Sequence, residues 1–181
     1  MKSGQHIKTL IGEASLAARV DGLSREIAGA GLSNLLVVAI LKGSFMFAAD
    51  LIRGMHRAGM SPHVEFMHLS SYDTGTVSSG QVRILRDIES AVAGRDILLV
   101  DDILESGRTL AFAKDLIAAR GARRVLIAVM LEKPGKRAVQ IKADFVGFEC
   151  PDLFVVGYGM DVAHAYRELP FIGVVESVPV V

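Results

Sequence analysis

Ile97-Leu-Leu-Val-Asp-Asp-Ile-Leu-Glu-Ser-Gly-Arg-Thr-Leu110 reads as a strand, an acid pair, a small polar loop and the start of a helix, in that order. Ile97 to Val100 are apolar without alternation, as in a strand buried on both faces. Asp101 and Asp102 follow where that strand is expected to end. Glu105, Ser106, Gly107, Arg108 and Thr109 then form a short loop rich in donors, and a helical pattern begins at Thr109. The first amides of a helix point outward without intrahelical partners, and the helix dipole favours an anion beside them. Gly107 permits close backbone approach and unusual torsions, while Ser106 and Thr109 add hydroxyls. Two adjacent carboxylates raise each other's pKa and would repel a phosphate. They suit hydroxyl groups or a divalent cation instead. The unit therefore points to a ligand carrying both hydroxyls and a phosphate. A capped turn with no ligand is the plain alternative.

Outward from this unit, the chain alternates strands and helices. Ile11 to Ala30 carries Leu16, Val20, Leu23 and Ile27 at helical spacing, with Gly31 as a stop. Leu35 to Leu41 is a second uninterrupted apolar run, closed by Lys42-Gly43. Phe45 to Ala58 is expected to be a helix and Val64 to Leu69 a strand. Ser70 to Gly80 is poor in large apolar residues and reads as an exposed loop, either a plain linker or a lid. Val82 to Ile88 suits a flanking strand. Thr109 to Arg120 is a helix ended by Gly121, and Val125 to Leu131 is another doubly buried strand. Phe145 to Phe148, Phe154 to Val156 and Ile172 to Val175 are short later strands. This order predicts an α/β fold with a central, mostly parallel sheet flanked by helices. Ligands of such sheets bind beyond the carboxyl ends of the strands, where Lys42, Asp101, Asp102 and Lys133 fall.

The chain has 181 residues, enough for one domain with a sizeable core. Twenty basic residues balance twenty acidic ones, so global charge gives no support for nucleic acid or an anionic membrane as partner. Cys150 is the single cysteine. No intrachain disulfide can form, which favours a reducing, cytoplasmic setting. Cys150 lies in an apolar run and reads as a buried structural thiol. No apolar signal segment follows Lys2, and no apolar run is long enough to span a bilayer. The five histidines are scattered without metal-ligand spacing. Lys136 and Arg137 read as solvated surface charge. Gly157-x-Gly159 does not open a helix, and no nucleoside-triphosphate loop is present.

The Ile97–Leu110 unit resembles the phosphoribosyl-diphosphate signature of the type I phosphoribosyltransferases. Leu41-Lys42-Gly43, Ser71-Tyr72, Lys133 and the run from Asp144 to Asp161 are similar to the branch that acts on 6-oxopurines. The resemblance covers roughly Leu35 to Val175. It implies one domain over residues 1–181, with a small hood lobe built from the N- and C-terminal segments and a mobile lid. It implies transfer of 5-phosphoribosyl from phosphoribosyl diphosphate to hypoxanthine or guanine, with magnesium as cofactor. Asp101 and Asp102 would bind the ribose hydroxyls and metal, and Glu105 to Thr109 the 5′-phosphate. Lys42, Gly43, Ser71, Tyr72 and Arg167 would hold the diphosphate. Lys133, Phe154, Val155 and Asp161 would receive the purine, Asp161 also serving the metal. The family is usually a homodimer or homotetramer.

One residue departs from the pattern. Glu105 stands where this family usually carries an aspartate that exchanges a proton with the purine. The two acids have similar intrinsic pKa values, about 4.3 and 3.9, but differ by one methylene. A non-catalytic nucleotide- or RNA-binding paralogue and a xanthine-preferring transferase are the competing readings.

Overall fold

The computed structural model describes residues 5–74 and 77–177. Its elements are β1 Gln5–Ile11, α1 Glu13–Gly29, β2 Leu36–Leu41, α2 Phe45–Arg57, β3 His63–Thr74, β4 Val77–Arg86, β5 Asp96–Leu104, α3 Arg108–Ala119, β6 Arg124–Glu132, β7 Phe145–Glu149, β8 Val155–Val156 and β9 Ile172–Ser177. Six strands form one sheet in the order β4-β3-β2-β5-β6-β7. β3, β2, β5, β6 and β7 run parallel, and β4 alone is antiparallel, against β3. A second, antiparallel sheet has the order β1-β9-β8.

Strand alternation divides the core between the two faces of the large sheet. Val37, Ala39, Leu98 and Val100 pack with Leu16, Val20, Leu23 and Ile27 of α1 and Phe47, Leu51 and Met55 of α2. Leu36, Val38, Ile97 and Leu99 point the other way, onto Leu110, Ala113 and Ile117 of α3. Both faces are thus covered, which is why β2 and β5 read as continuous apolar runs. The outer edge of β7 is closed by Arg19 of α1, which donates to the carbonyls of Val146 at 2.7 Å and Gly147 at 2.9 Å. Capping an edge strand in this way removes a template for unwanted pairing.

The amino ends of the strands are locked. Asp96, at the start of β5, is fully buried and accepts from Arg123, from Arg124 at 2.6 Å and from the Ser33 amide at 2.8 Å. These bonds hold its carboxyl well below the usual aspartate range. Arg95 donates to the carbonyls of Asn34 and Leu35 just before β2.

Two expectations are corrected, and one strand was not anticipated. Ser70 to Thr74 and Val77 to Gly80 are strand and not loop: β3 continues through Thr74 and β4 begins at Val77, with Ser71 paired to Val82 and Thr74 to Val77, while residues 75 and 76 lie outside the described residues. Backbone pairing between two long strands outweighs the low strand propensity of Ser, Gly and Asp. β5 does not stop at the acid pair but runs on to Leu104, because Asp101, Ile103 and Leu104 find register partners on β6. The segment before α1 contains β1, whose pairing with β9 lies far away in sequence.

Candidate active site

The turn from β5 to α3 builds the first cleft. Gly107 is the N-cap of α3 at φ +81°, a left-handed conformation that favours glycine. A Cβ there would also stand 2.5 Å from Ile141. The Ser106 carbonyl accepts from the Ala138 amide at 2.9 Å, tying the turn to the segment after β6. Gly107 thus turns the chain so that the first amides of α3 face the carboxyl end of the sheet. The cleft there has a volume of about 330 Å³. Lys42 and Gly43 line it from the end of β2, Asp101 and Asp102 from β5, and Glu105, Ser106, Gly107 and Thr109 from the turn. The Leu41–Lys42 peptide is cis. Lys42 is exposed, and Gly43 lies against the Asp102 carboxylate.

Asp101 is buried, and loss of water pushes its carboxyl well above the normal range, with the adjacent Asp102 charge adding to the rise. Burial raises Asp102 as well, opposed by its bonds to Asp101 and to the Ile103 amide and by the charge of Arg167. The Asp102 amide donates to Asp101 Oδ1 at 3.0 Å. Both acids are therefore held at an energetic disadvantage as an ionised pair. A group that donates protons or carries positive charge would relieve it.

A second cleft of about 380 Å³ adjoins the first and shares Asp102, Ile103 and Glu105 with it. Lys133, Phe154, Val155 and Asp161 complete its lining with Asp152, Leu153 and Met160. Lys133 follows β6 and is only 6% exposed. Its Nζ lies 3.5 Å from Oε1 of Glu105, which is itself partly exposed. The ring of Phe154 is 59% exposed, whereas Val155 is buried and paired with Val174. Phe154 is thus a free apolar face at the cleft and no part of the core.

Asp161 and Arg167 are paired with each other at 2.7 Å. Asp161 also accepts from the His164 amide, and Arg167 donates to the Gly159 carbonyl at 2.7 Å. The loop that carries them is anchored by Tyr158, whose buried hydroxyl donates to Asp50 of α2 at 2.8 Å.

Sequence-expected residues from four separate segments therefore converge on the two clefts. Ser71 and Tyr72 lie on β3 just beyond Leu69, which lines the first cleft, but their side chains fall outside the described residues. Arg108 opens α3 beside the Ser106 hydroxyl, which accepts from its amide at 3.4 Å. Arg137 is corrected: it is no surface charge but a half-buried clamp on the main chain of Leu104, Glu105 and Lys133. Its only trace in the sequence is the spacing from Lys133 across the Pro134–Lys136 turn. Lys136 is exposed as expected and pairs with Asp152 at 2.8 Å. Cys150 is a free, buried thiol.

Among the described residues, no three or more His, Cys, Asp or Glu side chains gather as a self-sufficient metal site. Asp101 and Asp102 offer two adjacent carboxylates, the donor class taken by hard divalent cations, with further ligands to come from substrate oxygens and water. The donor set therefore fits a cation bound together with substrate. Among the described residues, no helix is long and apolar enough to cross a membrane.

Comparison with known proteins agrees with this geometry. The family model for the phosphoribosyl transferase domain matches residues 11–163. Hypoxanthine-guanine phosphoribosyltransferase of Bacillus subtilis is 44% identical over 93% of this chain and 93% of its own length. The bifunctional protein TilS/HprT of Listeria monocytogenes is 45% identical over 93% of this chain, which spans only 26% of that longer protein. A crystal structure of a hypoxanthine phosphoribosyltransferase from Staphylococcus aureus superposes with a TM-score of 0.87 at 38% identity, covering 93% of this chain and 91% of that one. By its fold, its β5–α3 turn and these similarities, the chain belongs to the phosphoribosyl transferase domain family.

Proposed function

We propose that this chain is a purine-salvage hypoxanthine(-guanine) phosphoribosyltransferase. It moves a 5-phosphoribosyl group from phosphoribosyl diphosphate to hypoxanthine or guanine, giving the nucleoside monophosphate and diphosphate. The observation that carries this reading is the shared wall of the two clefts. Asp102 and Glu105 face both an anion-and-hydroxyl site and a site with a buried cation and an exposed aromatic ring. Sugar donor and base acceptor would meet there.

In the first cleft, Ser106 to Thr109 and the first amides of α3 receive the 5′-phosphate, and Asp101 and Asp102 accept from the ribose hydroxyls. Lys42, Gly43 and Arg167 hold the diphosphate, and the hairpin around Ser71 and Tyr72 excludes water from the reacting centre. In the second cleft, Phe154 stacks on the base and the Val155 backbone reads its edge. Lys133 donates to the 6-oxygen; a 6-amino purine would present a donor to it and be rejected. Glu105 takes the proton from the purine ring nitrogen as the bond from that ring to the sugar carbon forms and the bond to diphosphate breaks. Asp101, Asp102 and Asp161 would hold magnesium together with substrate, and the metal would supply positive charge to offset that of the leaving diphosphate. The protein is proposed to act in the cytoplasm as a homodimer or homotetramer, which light scattering on the purified chain tests directly.

The test is nucleotide formation from phosphoribosyl diphosphate, magnesium and hypoxanthine, guanine, xanthine or adenine in turn, beside Glu105→Asp and Glu105→Gln. Turnover of hypoxanthine or guanine, lost in Glu105→Gln, is expected. Activity appearing only in Glu105→Asp would instead mark a binding protein on a transferase scaffold.

A further inference from the structure

Arg137 lies four residues beyond Lys133, on the far side of the Pro134–Lys136 turn. Only 19% of its side chain is exposed. Nη1 donates to the main-chain carbonyls of Leu104 at 2.7 Å and Glu105 at 2.6 Å, and lies 3.2 Å from the carbonyl of Lys133. Nη2 donates to Glu132 at 2.5 Å. The Leu104 carbonyl also accepts from the Lys133 amide at 3.0 Å. The guanidinium therefore joins the end of β5 to the end of β6 where the two strands stop supporting each other.

Two of these three carbonyls belong to Glu105 and Lys133, whose side chains face each other across 3.5 Å in the second cleft. The donor geometry of a guanidinium is planar and rigid, so it fixes its acceptors relative to one another. The Lys133 amide reaches the Leu104 carbonyl, one peptide unit short of it, and the guanidinium extends that tie to the Glu105 carbonyl itself. The side chain of Glu105 has three torsions and is partly exposed, so its carboxylate is only as well placed as its main chain.

We propose that Arg137 is a positioning residue for the purine half of the site. It sets the separation of Glu105 and Lys133 by binding both main chains, and it takes no part in holding the phosphoribosyl group. This rests on the placement of the purine in the second cleft.

Steady-state kinetics on the natural chain, Arg137→Met and Arg137→Lys test it, with magnesium, phosphoribosyl diphosphate and hypoxanthine. Arg137→Met is expected to raise KM for hypoxanthine and lower kcat, with kcat/KM for hypoxanthine falling about tenfold to a hundredfold. KM for phosphoribosyl diphosphate is expected to stay within about twofold, because the bonds of Arg137 reach Leu104, Glu105, Glu132 and Lys133 and none of Lys42, Gly43, Asp101, Asp102 or Thr109. Arg137→Lys restores the charge but not the fork, so it recovers only part of the loss. Circular dichroism checks folding, and Glu132→Gln, which loosens the clamp without removing it, is expected to give a smaller change in the same direction. An active natural chain with an unaltered Arg137→Met, or with both KM values raised equally, overturns this role alone. A natural chain inactive with every purine overturns the transferase reading and this role with it.

Discussion

The Asp102 carboxylate occupies the space in which a Cβ on Gly43 would stand. A Cβ on Gly159 would in turn collide with the Gly43 carbonyl. The loops following β2 and β8 and the carboxyl end of β5 therefore meet so closely that neither glycine has room for a Cβ. Gly43 is needed for this close approach and not for a positive φ.

Gly43→Ala is expected to drive the Lys42 loop and Asp102 apart. A displacement of about 1 Å at a catalytic group can cost on the order of a hundredfold in rate. The substitution should lower kcat/KM by about that much while the melting temperature changes little, since the neighbouring core stays intact. Full activity in Gly43→Ala would show that the two loops part freely.

The acid pair should be a source of instability in the free protein. An unfolded aspartate titrates near about 3.9, and burial with the Asp102 charge raises Asp101 above this in the fold. Between those two values the folded chain binds more protons than the unfolded chain. Stability therefore falls as pH rises through that window. Asp101→Asn is expected to raise the melting temperature at pH 7, at about 2–4 °C per kcal/mol recovered, with a smaller gain at pH 5. Turnover should drop at least about tenfold. Melting curves at the two pH values check the first part, and a lower melting temperature at pH 7 would refute it.

Asp96 should behave in the opposite way. Its folded pKa is depressed by Arg124 and Arg123. The stability it contributes is fully present above about pH 3.9 and is lost as pH falls through the folded value. Asp96→Ala takes the shared carboxylate from two arginines and the Ser33 amide, leaving Arg123 only its bond to the Ser33 hydroxyl and Arg124 only its bond to the Gly31 carbonyl. Breaking a buried pair costs about 3–5 kcal/mol; with both arginines half exposed, about 2 kcal/mol is the expected loss in urea unfolding. Its kcat per folded molecule should be unchanged, because Asp96 lies at the opposite end of β5 from both clefts.

Lys133→Met is expected to weaken 6-oxopurines selectively. A hydrogen bond to a charged group contributes about 1.5–3 kcal/mol, so KM for hypoxanthine should rise about tenfold to a hundredfold. KM for phosphoribosyl diphosphate should not follow. Unchanged discrimination between hypoxanthine and adenine would remove Lys133 from base recognition.

The unit from Ile97 to Leu110 was legible because it is local. Apolar runs, an acid pair and a Gly-containing turn before a helix each report on their own neighbourhood in the chain. The parallel sheet followed from strands that lack alternation, since only burial on both faces tolerates that pattern. The Ser70–Gly80 stretch misled for a related reason. Its residues have little strand preference of their own, and what makes most of them a hairpin is pairing between β3 and β4. Arg137 looked like surface charge because the carbonyls that bury it belong largely to residues 32 and 33 positions earlier.

Local sequence thus determined most of the strands and helices, β1 and the β3–β4 hairpin excepted, and which of them carry acids, donors and glycine. Tertiary structure alone decided that Lys133 faces Glu105, that Gly43 abuts Asp102 and that Arg137 points inward. Those relationships depend on the strand order β2-β5-β6. Side-by-side pairing places the carboxyl ends of distant strands within a few ångströms, whatever their separation along the chain.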